Sequence, residues 1–350
     1  MNKRLQTPPH NPKLSDVAKL AGCSTGTASR ALNKPEMVSD KIIRKVRDAV
    51  EKLGYTPNNA ARALRSKHSH IIGLVIPTID HAIFAQLTNA LEKHLTRAGY
   101  SLLVTTSEFD LQRELQHAQL LVERGSEGIV LVGHLHDRKL YDFLQAKKVP
   151  YVNTYAYRPL DGHPCIGFDN RRATRQITEY LFSLGHTDIA VIAGPTKNND
   201  RAGDRLAGVQ DAFRLRGREL DPARVAEQPY SIGAGREGLR LLLSRGARPT
   251  AVVCGSDVLA FGAVAECAAL NVRVPEDISI VGFDDQDFAA HLTPPLTTLQ
   301  VAGTEIGERA AGYLLARLRG ETPPDFAEVE ARLIVRGTTG VPGGVPGVSA

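Results

Sequence analysis

Seven short runs of near-continuous apolar residues, spaced along the chain after residue 70, restrict the fold more than anything else in the sequence. Ile71-Ile72-Gly73-Leu74-Val75-Ile76 is the first, halted by Pro77. Tyr100–Thr105, Gly128–Val132, Val149–Val152, Asp188–Ala193, Thr250–Cys254 and Ile278–Phe283 repeat the signal. Helical spacing lies between them, as in Leu87, Leu91 and Leu95 at i, i+4 and i+8 ahead of Gly99. Uninterrupted apolar strands separated by amphipathic helices predict parallel sheets covered on both faces. Roughly 270 residues of this pattern suffice for two α/β lobes, and the cleft between lobes is a usual place for a small ligand.

The segment ahead of this body follows another rule. Leu14-Ser15-Asp16-Val17-Ala18-Lys19-Leu20-Ala21-Gly22-Cys23-Ser24-Thr25-Gly26-Thr27-Ala28-Ser29-Arg30 packs a short helix, a tight turn and a second short helix into little space. The small residues Ala18, Ala21, Gly22 and Ala28 let two helices approach closely, and Ser24 stands where an N-cap is needed. This is the spacing of a helix-turn-helix. Its second helix offers Thr25, Gly26, Thr27, Ser29 and Arg30, a surface suited to a DNA major groove rather than a core. Residues 1–68 carry 14 Lys/Arg against 5 Asp/Glu, a net of +9, while the whole chain is +5. A basic head on a mildly acidic body predicts a first domain that meets phosphates. A merely solubilising basic arm fits residues 1–12 but not the apolar periodicity that follows.

Between head and body, Asn58-Asn59-Ala60-Ala61-Arg62-Ala63-Leu64-Arg65-Ser66-Lys67 favours helix by composition, yet is too short to hold one alone in water. It reads as a connector that orders only with a partner. The four cysteines, Cys23, Cys165, Cys254 and Cys267, form no Cys-x-x-Cys and read as small buried hydrophobes in a reducing compartment. With no signal-peptide pattern and no apolar run of membrane-spanning length, the expected location is the cytoplasm.

At this level of detail the chain resembles the LacI/GalR family of bacterial transcriptional regulators over about residues 13–338. The head carries LSDVAKLAGCSTGTASRALN, Val38-Ser39 and GYTPNNAARALRS from Gly54 to Ser66. The body carries IGLVIP, LGHTDIAVIAGP, DRLAGV, RPTAVVCGSDVLAFGA, VPEDISIVGFDD and TPPLTTL, in order. The resemblance implies an all-α helix-turn-helix head with a hinge helix, and an α/β two-lobed, periplasmic-binding-protein-like effector domain with parallel sheets. It places Thr25, Gly26 and Arg30 at base-reading positions, and Ser24, Thr27, Ser29, Asn33 and Tyr55 at phosphates. Asn58 belongs to the same DNA-binding set. Leu64 matches a minor-groove wedge that unstacks a base step, with Arg65 beside it.

The resemblance also implies effector contacts. Arg205 and Asp257 match polar anchors, Asp257 being equally suited to cap a helix. Ile83, Phe84 and Tyr230 supply an apolar wall. Departures are informative. Lys13 replaces a capping Thr, and Gly26 offers no side chain to a base. Tyr155 and Thr78 stand where relatives often carry Asp, with Asp80 as a possible substitute for the latter. There is no Trp, and Ala156 sits where a purine-responsive relative stacks an indole. IPTIDHAIFAQL is similar to gluconate-type regulators, so a sugar or sugar acid is the favoured effector.

Rival readings fare worse. Gly233-Ala-Gly235-Arg-Glu-Gly238 fits the G-x-G-x-x-G outline of an NAD-dependent oxidoreductase, but Val225–Ser231 before it is polar and broken by Pro229. There is no nucleophile elbow around Ser256, no phosphate loop and no H-E-x-x-H. His134 and His136 fall on a strand-end loop, read as solvated in preference to lining the cleft. An exported sugar-binding protein would need a signal peptide and has no use for a basic head.

The expected organisation is an arm (1–12), a DNA-binding domain (13–57), a hinge helix (58–68), an effector and dimerisation domain (69–339) and a disordered Gly/Pro-rich tail (340–350). Within the effector domain the N-lobe takes about 69–168 and 299–328, and the C-lobe about 169–298 and 329–339. The expected function is a non-enzymatic regulator without catalytic residues, metal or cofactor. Its partners are double-stranded operator DNA, a small effector and itself, as a homodimer with a tetramer as the larger assembly. Repression is favoured, with activation as the alternative sign.

Overall fold

The computed structural model describes residues 12–56, 68–246 and 248–343. Asn58, Leu64 and Arg65, with nearly all of the expected hinge helix, lie outside the described residues. Contacts divide the chain into two units that meet at Ser69 and His70.

In the head, α1 (Leu14–Ala21), α2 (Thr25–Asn33) and α3 (Asp40–Leu53) enclose Val17, Ala18, Ala21, Ala28, Ala31, Val46 and Ala49. Most of these are alanines because only a methyl fits between helices packed so closely. Lys13 has no side-chain acceptor for the N-terminus of α1. Asp16 compensates in part, its carboxylate accepting the Lys13 backbone N–H at 2.8 Å.

The body holds two parallel sheets and a two-stranded antiparallel one. In the N-lobe, β1 (Ile71–Ile76), β2 (Ser101–Thr106), β3 (Gly128–Val132), β4 (Tyr151–Thr154), β5 (Cys165–Gly167) and β11 (Phe326–Glu328) run in the order β11-β5-β4-β3-β1-β2. In the C-lobe, β6 (Ile189–Ala193), β7 (Val225–Glu227), β8 (Ala251–Cys254) and β9 (Ser279–Val281) run in the order β7-β6-β8-β9. Every pairing within these two sheets is parallel. An antiparallel pair, β10 (Thr298–Val301) with β12 (Ala331–Ile334), carries two of the chain's crossings between the lobes. Eight helices fill the connections: α4 (Ala82–Arg97), α5 (Leu111–Glu123), α6 (Arg138–Ala146), α7 (Asn170–Ser183), α8 (Asp200–Arg214), α9 (Ile232–Ser244), α10 (Asp257–Ala269) and α11 (Gly303–Leu318). Among the described residues, no helix is long and apolar enough to cross a membrane.

Three expectations need correcting. The Tyr100–Thr105 run is not a doubly covered strand: β2 is a sheet edge, none of its residues is fully buried, and Val104 is exposed. Val225–Glu227 is a strand after all, short and at the edge opposite β9, and α9 follows it. The glycines of G-x-G-x-x-G nevertheless lie inside α9, not in a loop before it. A Cβ on Gly235 would stand 2.3 Å from the Leu259 carbonyl oxygen, so that glycine serves close packing of α9 on α10. The start of the expected tail is also built in, since the Gly340 carbonyl accepts from Ser279 Oγ and lies 2.9 Å from His186 Nε2.

Candidate DNA-reading surface and ligand cleft

On the head, Ser24 caps α2 by accepting the Thr27 N–H at 3.1 Å, and its hydroxyl meets Thr27 Oγ1 at 2.8 Å. Thr25, Gly26, Arg30 and Asn33 are exposed, while Thr27 and Ser29 are half-buried. Arg30 folds back along its own helix, donating through Nε to the Gly26 carbonyl at 3.3 Å, and Asn33 donates to the Ser29 carbonyl at 2.8 Å. These are weak local bonds that a duplex can replace. Tyr55 packs its ring beside the head core.

In the body, one cleft collects the loops that leave the carboxyl ends of the strands, where open parallel sheets hold ligands. His81, Ile83 and Phe84 follow β1, Phe109 follows β2, and Tyr155 follows β4. From the other lobe, Asn199, Arg201 and Arg205 follow β6 and Tyr230 follows β7. Ser256 and Val258 follow β8, and Asp284 and Gln286 follow β9. The space between these walls, open solvent at the mouth included, is about 520 Å³. Three lining residues, Phe109 (φ 59°), Tyr155 (φ 62°) and Asp284 (φ 119°), hold positive-φ backbone without being glycine. Such strain concentrates at ligand sites.

The apolar wall is Ile83, Phe84 and Tyr155, with the Phe84 and Tyr155 rings edge-to-face at 6.0 Å. The Tyr155 hydroxyl is spent on the Ile83 carbonyl at 2.6 Å, and burial pushes its pKa up, so Tyr155 contributes a ring and not an anion. Arg205 lies flat on Phe283, 3.7 Å from the ring centroid. It donates to Asn170 Oδ1 at 2.9 Å and to the Gly255 carbonyl at 2.7 Å, with Asp284 3.9 Å away. Burial pushes the Asp284 carboxyl up to about 6, with Arg205 pulling against it. Burial lowers the Arg205 pKa, and the Asp284 charge works against that fall.

Two expected effector residues fall elsewhere. Asp257 is wholly buried beneath the cleft and neither lines it nor caps α10; Ser256 is the cap residue, accepting the Leu259 N–H. The Asp257 carboxylate accepts the Gln286 N–H at 2.7 Å and the Thr298 hydroxyl at 2.5 Å, tying the 284–286 turn to β10. Asp80 is exposed, because its N–H bonds back to Thr78 Oγ1 at 3.1 Å and the turn faces solvent. Sequence reasoning missed His81, Phe109, Asn199, Arg201, Ser256, Val258, Asp284 and Gln286.

The histidines expected on a solvated loop are engaged instead. The His136 ring is enclosed, 2.8 Å from Glu114 Oε2. His134, from the N-lobe, donates its backbone N–H to Asp200 Oδ2 at 2.8 Å, and its ring Nδ1 lies 2.5 Å from the same oxygen. Asp200 opens α8 in the C-lobe, so this contact joins the lobes beside the cleft. Burial pushes the Asp200 carboxyl up, but Arg201 and His134 outweigh it and hold it well below the ordinary range.

A recognition helix on a three-helix head, with a two-lobed body of parallel sheets enclosing a cleft, defines a DNA-binding transcriptional regulator with a periplasmic-binding-protein-like domain. Residues 13–58 match the model for bacterial regulatory proteins of the lacI family, and residues 178–339 match the periplasmic binding protein-like domain. The chain is 32% identical over 312 residues to the ribose operon repressor of Escherichia coli (strain K12), covering 88% of this chain and 94% of that protein. Its fold is similar to the lac repressor dimer bound to operator and the anti-inducer ONPF. There the TM-score is 0.85 at 28% identity, over 95% of this chain and 100% of that one. The transcription regulator GntR from Chromobacterium violaceum matches with a TM-score of 0.73 at 30% identity, over 77% of this chain and 99% of that one. This chain belongs to the LacI family of bacterial regulatory proteins. Its relatives are repressors and not enzymes, which disposes of the oxidoreductase reading.

Proposed function

We propose that the chain is a cytoplasmic, homodimeric repressor of a pseudopalindromic operator, and that a sugar or sugar acid in the interlobe cleft sets its affinity for DNA. The observation that carries this reading is the cleft itself. Its walls come from strand ends of both lobes, so a ligand there contacts two bodies that can move against each other. A ligand that favours one lobe arrangement shifts the population toward it, and the shift passes to the paired heads through the connectors. By linkage, DNA alters ligand affinity by the same factor. Dimerisation follows from the size of α2: one helix of nine residues reads too few bases for specificity, and a two-fold pair reads two half-sites.

Selection of the full chain against a random duplex library tests the DNA half. The expected result is a two-fold-related pair of half-sites whose centres lie about one helical turn, ~10 bp, or a multiple of it apart. Affinity should fall steeply with salt as phosphate contacts release counterions. An enriched site lacking two-fold symmetry, or no enrichment, refutes the reading. A thermal-shift screen of sugars, sugar acids and nucleosides tests the ligand half.

A further inference from the structure

The two walls of the cleft are chemically opposite. The N-lobe supplies His81, Ile83, Phe84, Phe109 and Tyr155. Only two of these side chains carry a polar atom. The Tyr155 hydroxyl is turned away onto the Ile83 carbonyl. The His81 ring meets Tyr230 edge-on at 5.3 Å and is uncharged at neutral pH, because burial lowers its pKa. The remaining polar side chains, among them Ser256, Asp284 and Gln286, all come from the C-lobe. The charges on that side cancel in pairs: Arg205 faces Asp284 at 3.9 Å, and Arg201 faces Asp200 at 3.8 Å.

Both features restrict what the cleft can hold. A ligand hydroxyl pressed against the N-lobe wall would leave water and gain no partner, which weakens binding. A ligand anion would have to compete with Asp284 for Arg205, or with Asp200 for Arg201, while losing its own hydration. We propose that the effector is a neutral sugar bound as a closed pyranose ring, its rim hydroxyls on Ser256, Asp284 and Gln286 and one C–H face against Phe84 and Phe109. The inference rests on the reading that the cleft takes a sugar or sugar acid, and selects within it. A pyranose carries its equatorial hydroxyls around the rim and leaves C–H bonds on its faces, whose slight positive charge suits the negative face of an aromatic ring. An open-chain alditol or aldonate bears hydroxyls on both sides of its chain, so some of them must meet the apolar wall.

The test uses the full chain, calorimetry, and matched probes: D-glucose, D-galactose, D-mannose and D-xylose, the alditol and aldonate of each, and D-glucose 6-phosphate. The expected result is that at least one aldose binds, roughly 10-fold or more tighter than its own alditol and aldonate. Phe109→Asn should narrow that gap. Position 109 holds φ at 59°, which Asn tolerates, and the amide gives the N-lobe wall a hydrogen-bonding group. Affinity for the aldose should fall roughly 3- to 10-fold while that for the alditol holds or rises. An aldonate or the sugar phosphate binding more tightly than the aldose overturns the neutral ligand. An alditol that matches its aldose overturns the closed ring. Either result leaves a sugar-type site in the cleft. An unchanged aldose-to-alditol ratio in Phe109→Asn overturns the apolar contact. If none of the probes binds, the sugar-type effector reading falls with the inference. The comparison among probes needs only the parent chain, so a variant that fails to fold does not spoil it.

Discussion

Replacing Asp257 by Asn should remove a loss of stability that the body suffers as pH rises. Asp257 is wholly buried, and burial, followed by the neighbouring charge of Asp284, pushes its carboxyl up to about 8 from an ordinary 3.8. The bonds from Thr298 and Gln286 oppose that rise without cancelling it. The folded chain thus holds a proton that the unfolded chain has released, and stability falls as pH climbs from 3.8 toward 8. Asp284 acts in the same sense but is finished near 6. His81, His163 and His186, all lowered by burial from 6.5, act in the opposite sense until the pH has passed 6.5, and they do so equally in parent and variant. The difference between the two proteins from pH 6 to 8 therefore isolates Asp257. Two pH units at 1.36 kcal/mol each make about 3 kcal/mol, or roughly 6–12 °C in melting temperature for a body of this size. The Asn variant keeps an acceptor for Gln286 and has nothing to titrate. Scanning calorimetry of both proteins from pH 6 to 8 should show the parent's melting temperature falling relative to the variant's by that amount. Parallel curves would mean that Asp257 is already ionised at pH 6, its two hydrogen bonds outweighing burial.

Other outcomes follow from the same geometry. Arg30→Ala should cut the preference for the selected operator over a scrambled duplex by about 1–3 kcal/mol, read by competition binding; an unchanged ratio removes Arg30 from base reading. Gly133→Ala should part the lobes: with φ at +96°, an added Cβ would stand 2.5 Å from Asp200 Oδ1, and the backbone strain alone costs about 1–3 kcal/mol. Small-angle scattering should register a larger radius of gyration, and an identical profile would show that the contact does not hold the cleft shut. Ser24→Ala should cost the head about 1 kcal/mol and speed hydrogen exchange at the Thr27 amide, which it now caps at 3.1 Å. Unaltered exchange there would deny Ser24 its capping role.

The strands that were legible in advance are β1, β3, β4, β6, β8 and β9, whose three to six residues are nearly all buried. Apolar continuity is a record of burial on two faces, which β9 has although it ends its sheet. β5, β7 and β11 have three residues each, too few for any period to show. β2 misled in the opposite direction, since Leu102, Leu103 and Val104 look interior yet sit on an edge.

The cleft was harder to read for a related reason. Ile83, Phe84, Tyr155, Arg205 and Tyr230 reached it through resemblance, and Asp284 was available to simple reasoning: it ends the apolar Ile278–Phe283 run, and polar residues at the ends of parallel strands are the first to face a ligand. Ser256 and Asp257 were not separable that way. Both are polar, both follow β8, and both open α10. Ser256 is the extended N-cap and Asp257 the first helical residue, so the backbone changes direction between them. That change leaves Ser256 at the cleft wall and the Asp257 carboxylate under its floor toward Thr298. Arg201 and Arg205 illustrate the converse. Four residues apart on α8 they share a face, so the anchor recognised at Arg205 already implied that a long side chain at 201 would reach the same space. What the sequence withheld was the partners of that side chain, Asn199 Oδ1 at 3.1 Å and Asp200 Oδ1 at 3.8 Å, because they depend on the turn that opens α8.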